Sequence, residues 1–384
     1  MAKLLIGVSV TQSKSNVQSK SQFLLTSFLL CISYAQRTRE LRAESRIYGF
    51  GHQHYPQART QVERFVAYKL PKIEGSTKLI RAGVAHVYLD AIGDRVLSSR
   101  HVRNILFFQQ WSSFFQDDIT YLMYNDESPD GSVHENRGHL KGVVAFDDKH
   151  GFWLVHSVPK FPPMAKDGYD YPESGHYFGQ TFLCISLDGS YFNKIGKTKQ
   201  LLVSWPYVFD FNIPQSSRYS KDRDLQSVVK GKHNKLHTSV YSLPTLHSQT
   251  FISLSKNKYW GQGRMMSTTS MLSWYQRTVF LLSRGECFAL SYIFDFKVEN
   301  IRDIALPFSI NFSDTKDHAK WAVTSSKGVQ WICIGDINRQ VSQKHRGGGT
   351  VCTNHTALWK AFNDAIEKYE PCPGDRKSYL KADL

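Results

Sequence analysis

The chain is short of clustered cysteines, of acidic residues and of apolar runs long enough to cross a bilayer, and each shortage narrows what it does. Its six cysteines, Cys31, Cys184, Cys287, Cys333, Cys352 and Cys372, are scattered over 384 residues without a C-x-x-C pair. That spacing suits neither a zinc ribbon nor a dithiol redox centre, and it fits disulfides better. Asp and Glu number 33 against 48 Lys and Arg, a formal charge of +15, so the surface favours polyanions, nucleic acid first among them. Charge alone does not separate that reading from a basic protein with solvated lysines. The apolar run 23–34 is too short to span a bilayer comfortably, and no membrane partner is expected. With Lys14 and Lys20 before it and Ser33-Tyr34-Ala35 behind it, it reads as the core of a signal peptide over 1–35, cut near Ala35. A hydrophobic content of 41% is enough for a substantial core.

What is present is one motif used twice. Gly138-His139-Leu140-Lys141 leads into 142–146, a turn at 147–151 and the run 152–155, ending on His156-Ser157-Val158-Pro159. Asp317-His318-Ala319-Lys320 leads into 321–324, a turn at 325–328 and the run 329–334, ending on Gly335-Asp336-Ile337-Asn338. Both read as β-hairpins, and the period of two along a strand puts each His and Lys on one face. One H-x-K arises easily by chance. Two copies with matching sequels point to two imidazoles and two ammonium groups gathered around one phosphodiester. Hydrolysis there needs a nucleophile, a proton for the leaving oxygen and positive charge for the remaining oxygens, which these four side chains supply. The catalytic candidates are therefore His139, Lys141, His318 and Lys320, with the choice of nucleophile open. No carboxylate cluster suited to Mg²⁺ or Ca²⁺ accompanies the motifs, so neither metal nor cofactor is expected.

These motifs resemble deoxyribonuclease II, the acid endonuclease family of the phospholipase D superfamily. The resemblance is carried also by Phe65-Val66-Ala67-Tyr68-Lys69-Leu70-Pro71, Leu122-Met123-Tyr124-Asn125-Asp126, Gly151-Phe152-Trp153-Leu154-Val155 and Cys333-Ile334-Gly335-Asp336-Ile337-Asn338-Arg339, in one order from about residue 65 to Cys372. It implies an α/β (α+β mixed) fold: a phospholipase D-like pseudo-dimer of two mixed sheets flanked by helices, with the active site at the seam. It also implies cleavage of double-stranded DNA without sequence preference, through a phosphohistidine, giving 3′-phosphate and 5′-hydroxyl ends in a lysosomal or secreted protein. A secreted DNA-binding relative without catalysis, and a phosphodiesterase acting on lipid or another polyanion, are the competing readings. The superfamily's aspartate downstream of the lysine is missing, since Phe146 stands in its place and Asp147 follows. Its later G-S-x-N corresponds to Gly335-Asp336-Ile337-Asn338, which makes Asn338 a donor to phosphate and Asp336 a support for an imidazole; His156 is the third supporting residue. The resemblance pairs Cys333 with Cys352 and Cys287 with Cys372. It gives Cys184 a partner near the mature N-terminus, where 36–64 has no cysteine, so either Cys31 is retained or this chain departs from the pattern. The sequons at Asn311 and Asn354 agree with a secretory route.

Along the chain we expect a polar arm over 36–64, a first half over 65–190, a second over 191–372 and a disordered tail over 373–384. Strands are expected at 65–70, 86–90, 120–124, 200–211, 238–254, 271–283 and 288–297. Helices are expected at 96–115 and 358–369, a polar loop at 125–137, a surface loop at 159–171 and a basic loop at 215–235. The protein is expected to be a monomer or a homodimer.

Overall fold

The fold is described by a computed structural model over residues 64–90, 97–101, 118–192, 200–234, 236, 238–246, 249–259, 280–282, 298–307, 309–325, 327–338, 341–343, 345–370 and 379–380. The expected leader and arm, Cys31, Cys287, Cys372 and the segment 288–297 lie outside these residues.

Two sheets make the frame. β1 (Arg64–Lys69), β2 (Ala85–Asp90), β3 (Leu97–His101), β4 (Thr120–Asn125), β5 (Lys141–Phe146), β6 (His150–His156), β7 (Gln180–Asp188) and β8 (Val208–Asn212) form the first, in the order β3-β2-β1-β7-β6-β5-β4-β8. The second contains β9 (Thr238–Pro244), β10 (Thr250–Lys256), β11 (Phe280–Leu282), β12 (Val298–Leu306), β13 (Ile310–Ser313), β14 (Trp321–Thr324), β15 (Trp331–Gly335), β16 (Gly348–Asn354), β17 (Ile366–Glu370) and β18 (Tyr379–Leu380). Its order is β18-β17-β12-β11-β14-β15-β16-β10-β9, with β13 beside β12 and one parallel pair, β11 on β12. Five α-helices are described: α1 (Lys78–Arg81), α2 (Ser174–Tyr177), α3 (Gln200–Ser204), α4 (Arg223–Val229) and α5 (Thr356–Asp364). No helix among the described residues is long and apolar enough to cross a membrane. This is a mixed α+β fold.

The sequence of β1 explains why a sheet lies in the middle. All six residues of Arg64–Lys69 are buried, so the strand is covered on both faces and shows no polar alternation. Val66 and Tyr68 join the core between the sheets, while Phe65 and Ala67 join the cluster on the first sheet's outer face. The same parity holds on β14, where Trp321 and Val323 face the first sheet and Ala322 packs behind with the Cys333–Cys352 disulfide. Each large apolar side chain buried this way adds roughly 1.5–3 kcal/mol. Cys333 and Cys352 are direct partners across β15 and β16, and the bond spans 19 positions of sequence. Replacing Cys352 by Ser is expected to cost about 2–4 kcal/mol, read as a lower urea midpoint. A midpoint equal to the parent's would show that the bond adds nothing.

Several elements differ from expectation. Residues 97–101 are strand β3 paired to β2, not the start of a helix; edge pairing with β2 outweighs the local helical pattern. Residues 200–204 are helix, ended by Pro206, with only 208–212 as strand. That strand, β8, pairs with β4 and belongs to the first sheet, so this sheet reaches past the 190/191 boundary. The basic loop at 215–235 contains α4, started by the Asp222 carboxylate, which accepts from the N–H groups of Asp224 and Leu225, each at 3.0 Å. The loop over 159–171 is not superficial, because Phe161 and Tyr171 are buried against the outer face of the first sheet. The closing helix stops at Asp364, and Ile366 and Tyr369 continue as β17. Tyr379–Leu380, in the expected disordered tail, pairs with that strand.

Candidate active site

Strand register builds the first half of the site. β4 and β5 pair with Asn125 opposite Lys141, so the residue just beyond β4, Asp126, stands beside the lysine. Leu140 is buried in the core between the sheets, which turns its neighbours His139 and Lys141 together away from it. His139 Nδ1 donates to Asp126 Oδ2 at 2.7 Å, and Lys141 Nζ donates to Oδ1 of the same carboxylate. A third cation arrives from the other sheet: Arg346 Nη2 donates to Asp126 Oδ2 at 2.8 Å. An ionised carboxylate only accepts, so the imidazole carries its proton on Nδ1 and keeps a lone pair on Nε2.

The second half is its counterpart. Asp317 is fully buried and accepts from Tyr68 Oη at 2.6 Å and from the Ala319 N–H at 3.0 Å. The His318 ring stacks on Phe178, with centroids 3.9 Å apart and planes within 7°. Lys320 Nζ donates to the His318 carbonyl at 3.0 Å. Each sheet holds the other's motif. The His139 N–H donates to Gly347 O at 2.9 Å across the seam, and the His318 N–H donates to Gly179 O at 2.8 Å in the opposite sense. A Cβ at Gly179 would stand 2.4 Å from Asp317 Oδ1, so a larger residue there would displace the carboxylate.

Charge and burial set the protonation states. Burial by itself would raise the Asp126 carboxyl, but Lys141, His139 and Arg346 outweigh it and hold the group below the usual carboxylate range. Burial lowers His139 to about 3, with Lys141 and Lys320 pushing the same way and Asp126 opposing. Burial also pushes Asp336 up to about 7, against the Gly349 N–H, Lys141 and Lys320. His156 is pushed down by burial and by the same two lysines. The ammonium groups of the two H-x-K motifs thus act on one set of side chains from opposite sheets.

The structure corrects the position of the motifs: β5 begins at Lys141 and β14 at Trp321, so His139 and all of Asp317–Lys320 lie in the approaches to strands. His139, Lys141, Lys320, Asp336 and His156 are brought together electrostatically. Asp336 Oδ1 accepts from the Gly349 N–H at 3.1 Å. The Asn338 N–H donates to Gln343 Oε1 at 2.6 Å. His156 is wholly buried, its ring stacked with Phe182 and edge-on to Phe161, and its Nδ1 accepts from the Val158 N–H at 3.2 Å. Sequence reasoning missed Asp126 as the orienting carboxylate, and missed Arg346, Asp317, Tyr68 and Phe178. Asp126 was detectable only as the acidic residue closing the strand before the first H-x-K. Asn311 and Asn354 are both exposed, and Cys184 is buried on β7.

Known proteins are similar over a span that contains these residues. The family model for Deoxyribonuclease II matches residues 55–372. Plancitoxin-1 of Acanthaster planci is 36% identical over 326 residues, covering 81% of this chain and 90% of that protein. Deoxyribonuclease-2-alpha of Sus scrofa is 32% identical over 349 residues, covering 85% and 92%, and the Mus musculus protein of the same name is 33% identical, covering 83% and 93%. With both H-x-K motifs inside the matched span and held across the seam, the chain belongs to the deoxyribonuclease II family.

Proposed function

We propose that the protein is an acid endonuclease that hydrolyses DNA phosphodiesters without a metal, with His139 as nucleophile and His318 as general acid. The observation that carries this is the Asp126–His139 bond, which holds the proton on Nδ1 and directs the Nε2 lone pair of a neutral imidazole away from the carboxylate. Nε2 attacks phosphorus while the P–O5′ bond breaks and His318 gives its proton to the departing 5′ oxygen. The imidazolium formed at His139 is stabilised by Asp126. Water then attacks phosphorus, His318 takes its proton, and the P–N bond breaks to release a 3′-phosphate. Lys141, anchored on Asp126, and Lys320, anchored on the His318 carbonyl, hold the non-bridging oxygens as point charges. Contacts to phosphate carry no base information, so double-stranded DNA is cut with little sequence preference. Exposed sequons at Asn311 and Asn354 and the Cys333–Cys352 bond support a secretory route to a lysosomal or secreted location.

Plasmid incubated at pH 5 in EDTA is expected to be nicked, leaving 5′ ends that polynucleotide kinase labels without prior phosphatase treatment. Dependence on added Mg²⁺, or 5′-phosphate ends, would overturn the mechanism. Retained DNA binding without nicking would make the chain a catalytically silent relative.

A further inference from the structure

Beside the first H-x-K stands a cluster of rings and cations that the proposed chemistry does not use. Trp205 follows α3 at the position where a helix usually turns left-handed on a glycine, and it does so with φ of 58°. A bulky aromatic is rare there, and the strain persists only where the surroundings over-determine it. The backbone is pinned on both sides: the Trp205 N–H donates to Leu201 O and its carbonyl accepts from the Gly138 N–H, each at 2.8 Å. The ring is pinned too, with Nε1 donating to Gly231 O at 2.7 Å.

What this conformation presents is a face for cations. The Arg137 guanidinium lies 4.6 Å and the Lys258 ammonium 4.3 Å from the indole centroid, and Lys258 is also 5.0 Å from the Tyr259 ring. The His233 ring stands 4.5 Å from the indole. Arg137 Nη1 donates to Gly231 O at 2.8 Å. Among the described residues neither Arg137 nor Lys258 pairs with a carboxylate, in contrast to Lys141 and Arg346, which both meet Asp126. Two positive groups held by π faces and without a carboxylate counter-charge form a site for an anion. The cluster is wired to the centre: Arg346, whose Nη2 grips Asp126, donates from Nε to the Arg137 carbonyl at 3.0 Å. Arg137 is two residues from His139, at most about 7.6 Å between Cα atoms, which is about one or two phosphate positions along a strand.

We propose that Trp205, Arg137 and Lys258 form a phosphate-binding subsite that grips the DNA backbone beside the scissile phosphodiester; this rests on the nuclease reading above. The indole orients the two cations and is not itself a platform for a base, because its surroundings are already taken by Arg137, Lys258 and His233.

Lys258→Gln and Arg137→Gln test this in the full chain, with Trp205→Gly as a variant that removes the ring while easing the backbone. Each is expected to raise KM for duplex DNA about three- to tenfold and to lower the slope of log affinity against log salt by about one. Turnover of bis(p-nitrophenyl) phosphate, too small to reach the subsite, is expected to match the parent's. Binding is measured by anisotropy on His139→Ala proteins, with a normal oligonucleotide and an abasic one of equal length. The loss is expected on both. Slopes equal to the parent's, or a loss confined to the base-bearing strand, would overturn the subsite. A parent that cleaves neither substrate would instead remove the nuclease reading, and the binding slopes would still decide whether the cluster holds phosphate.

Discussion

His139→Ala and His318→Ala are each expected to reduce nicking at pH 5 by about 10³–10⁴-fold, and Asp126→Asn by nearly as much. The third is the sharper test. Asp126 accepts from His139, Lys141 and Arg346 together, and an amide has one accepting oxygen where the carboxylate has two. If that oxygen takes the Oδ1 place opposite Lys141, the amide N–H₂ takes the Oδ2 place opposite His139 and Arg346 and forces the imidazole proton from Nδ1 to Nε2. The lone pair that attacks phosphorus is then gone, although every other group is in place. kcat should fall with little change in oligonucleotide affinity, and the Asp126→Asn/His139→Ala double variant should be no slower than either single one, since the two act as a unit. The variant leaves the buried Lys141 without its counter-charge, so a thermal melt belongs beside the assay. An Asp126→Asn protein that melts like the parent and cleaves within about tenfold of it would dismiss His139 as the nucleophile.

How much of this was legible in the sequence depends on how local each cause is. Both H-x-K hairpins follow from apolar runs and turn residues within about 20 positions, and β5–β6 and β14–β15 form as expected. The closing of each motif was not legible. His139 depends on Gly347 and Arg346, and His318 on Gly179, Phe178 and Tyr68, all far away in sequence and brought near only by the seam. The misread stretch at 200–211 has a reason of its own. Residues 200–204 are buried throughout, polar Gln200 and Ser204 included, so burial hides the difference between a helical turn and a strand until Pro206 and the partner β4 are seen. His156 shows a limit of another kind. A histidine at a strand end beside a site looks the same in sequence whether it touches substrate or is enclosed by Phe161 and Phe182, and the structure encloses it.

Asp336→Asn is expected to free substrate binding from pH at neutrality. Asp336 is buried, pushed up to about 7 by that burial against the pull of Lys141 and Lys320. Below about 7 the carboxyl is neutral and both ammonium groups face the phosphate without competition. Above it the carboxylate carries a charge of the phosphate's own sign beside the same lysines, so affinity drops as pH rises. At an effective dielectric of about 20 and a separation of about 8 Å, one such charge is worth about 2 kcal/mol, roughly thirtyfold in KM. The effect develops between about pH 6 and 8, the window around the raised value. Asn at 336 is uncharged throughout and keeps an oxygen for the Gly349 N–H, so the fold should tolerate it. Loss of the general acid's proton acts on kcat and is common to both proteins; the prediction therefore concerns KM alone. In the parent, KM should climb across that window, while in Asp336→Asn it should stay near its pH 5 value. A parallel climb in the two proteins would mean that Asp336 does not control the site's charge, and that the preference for acid lies wholly in the proton transfers of the reaction.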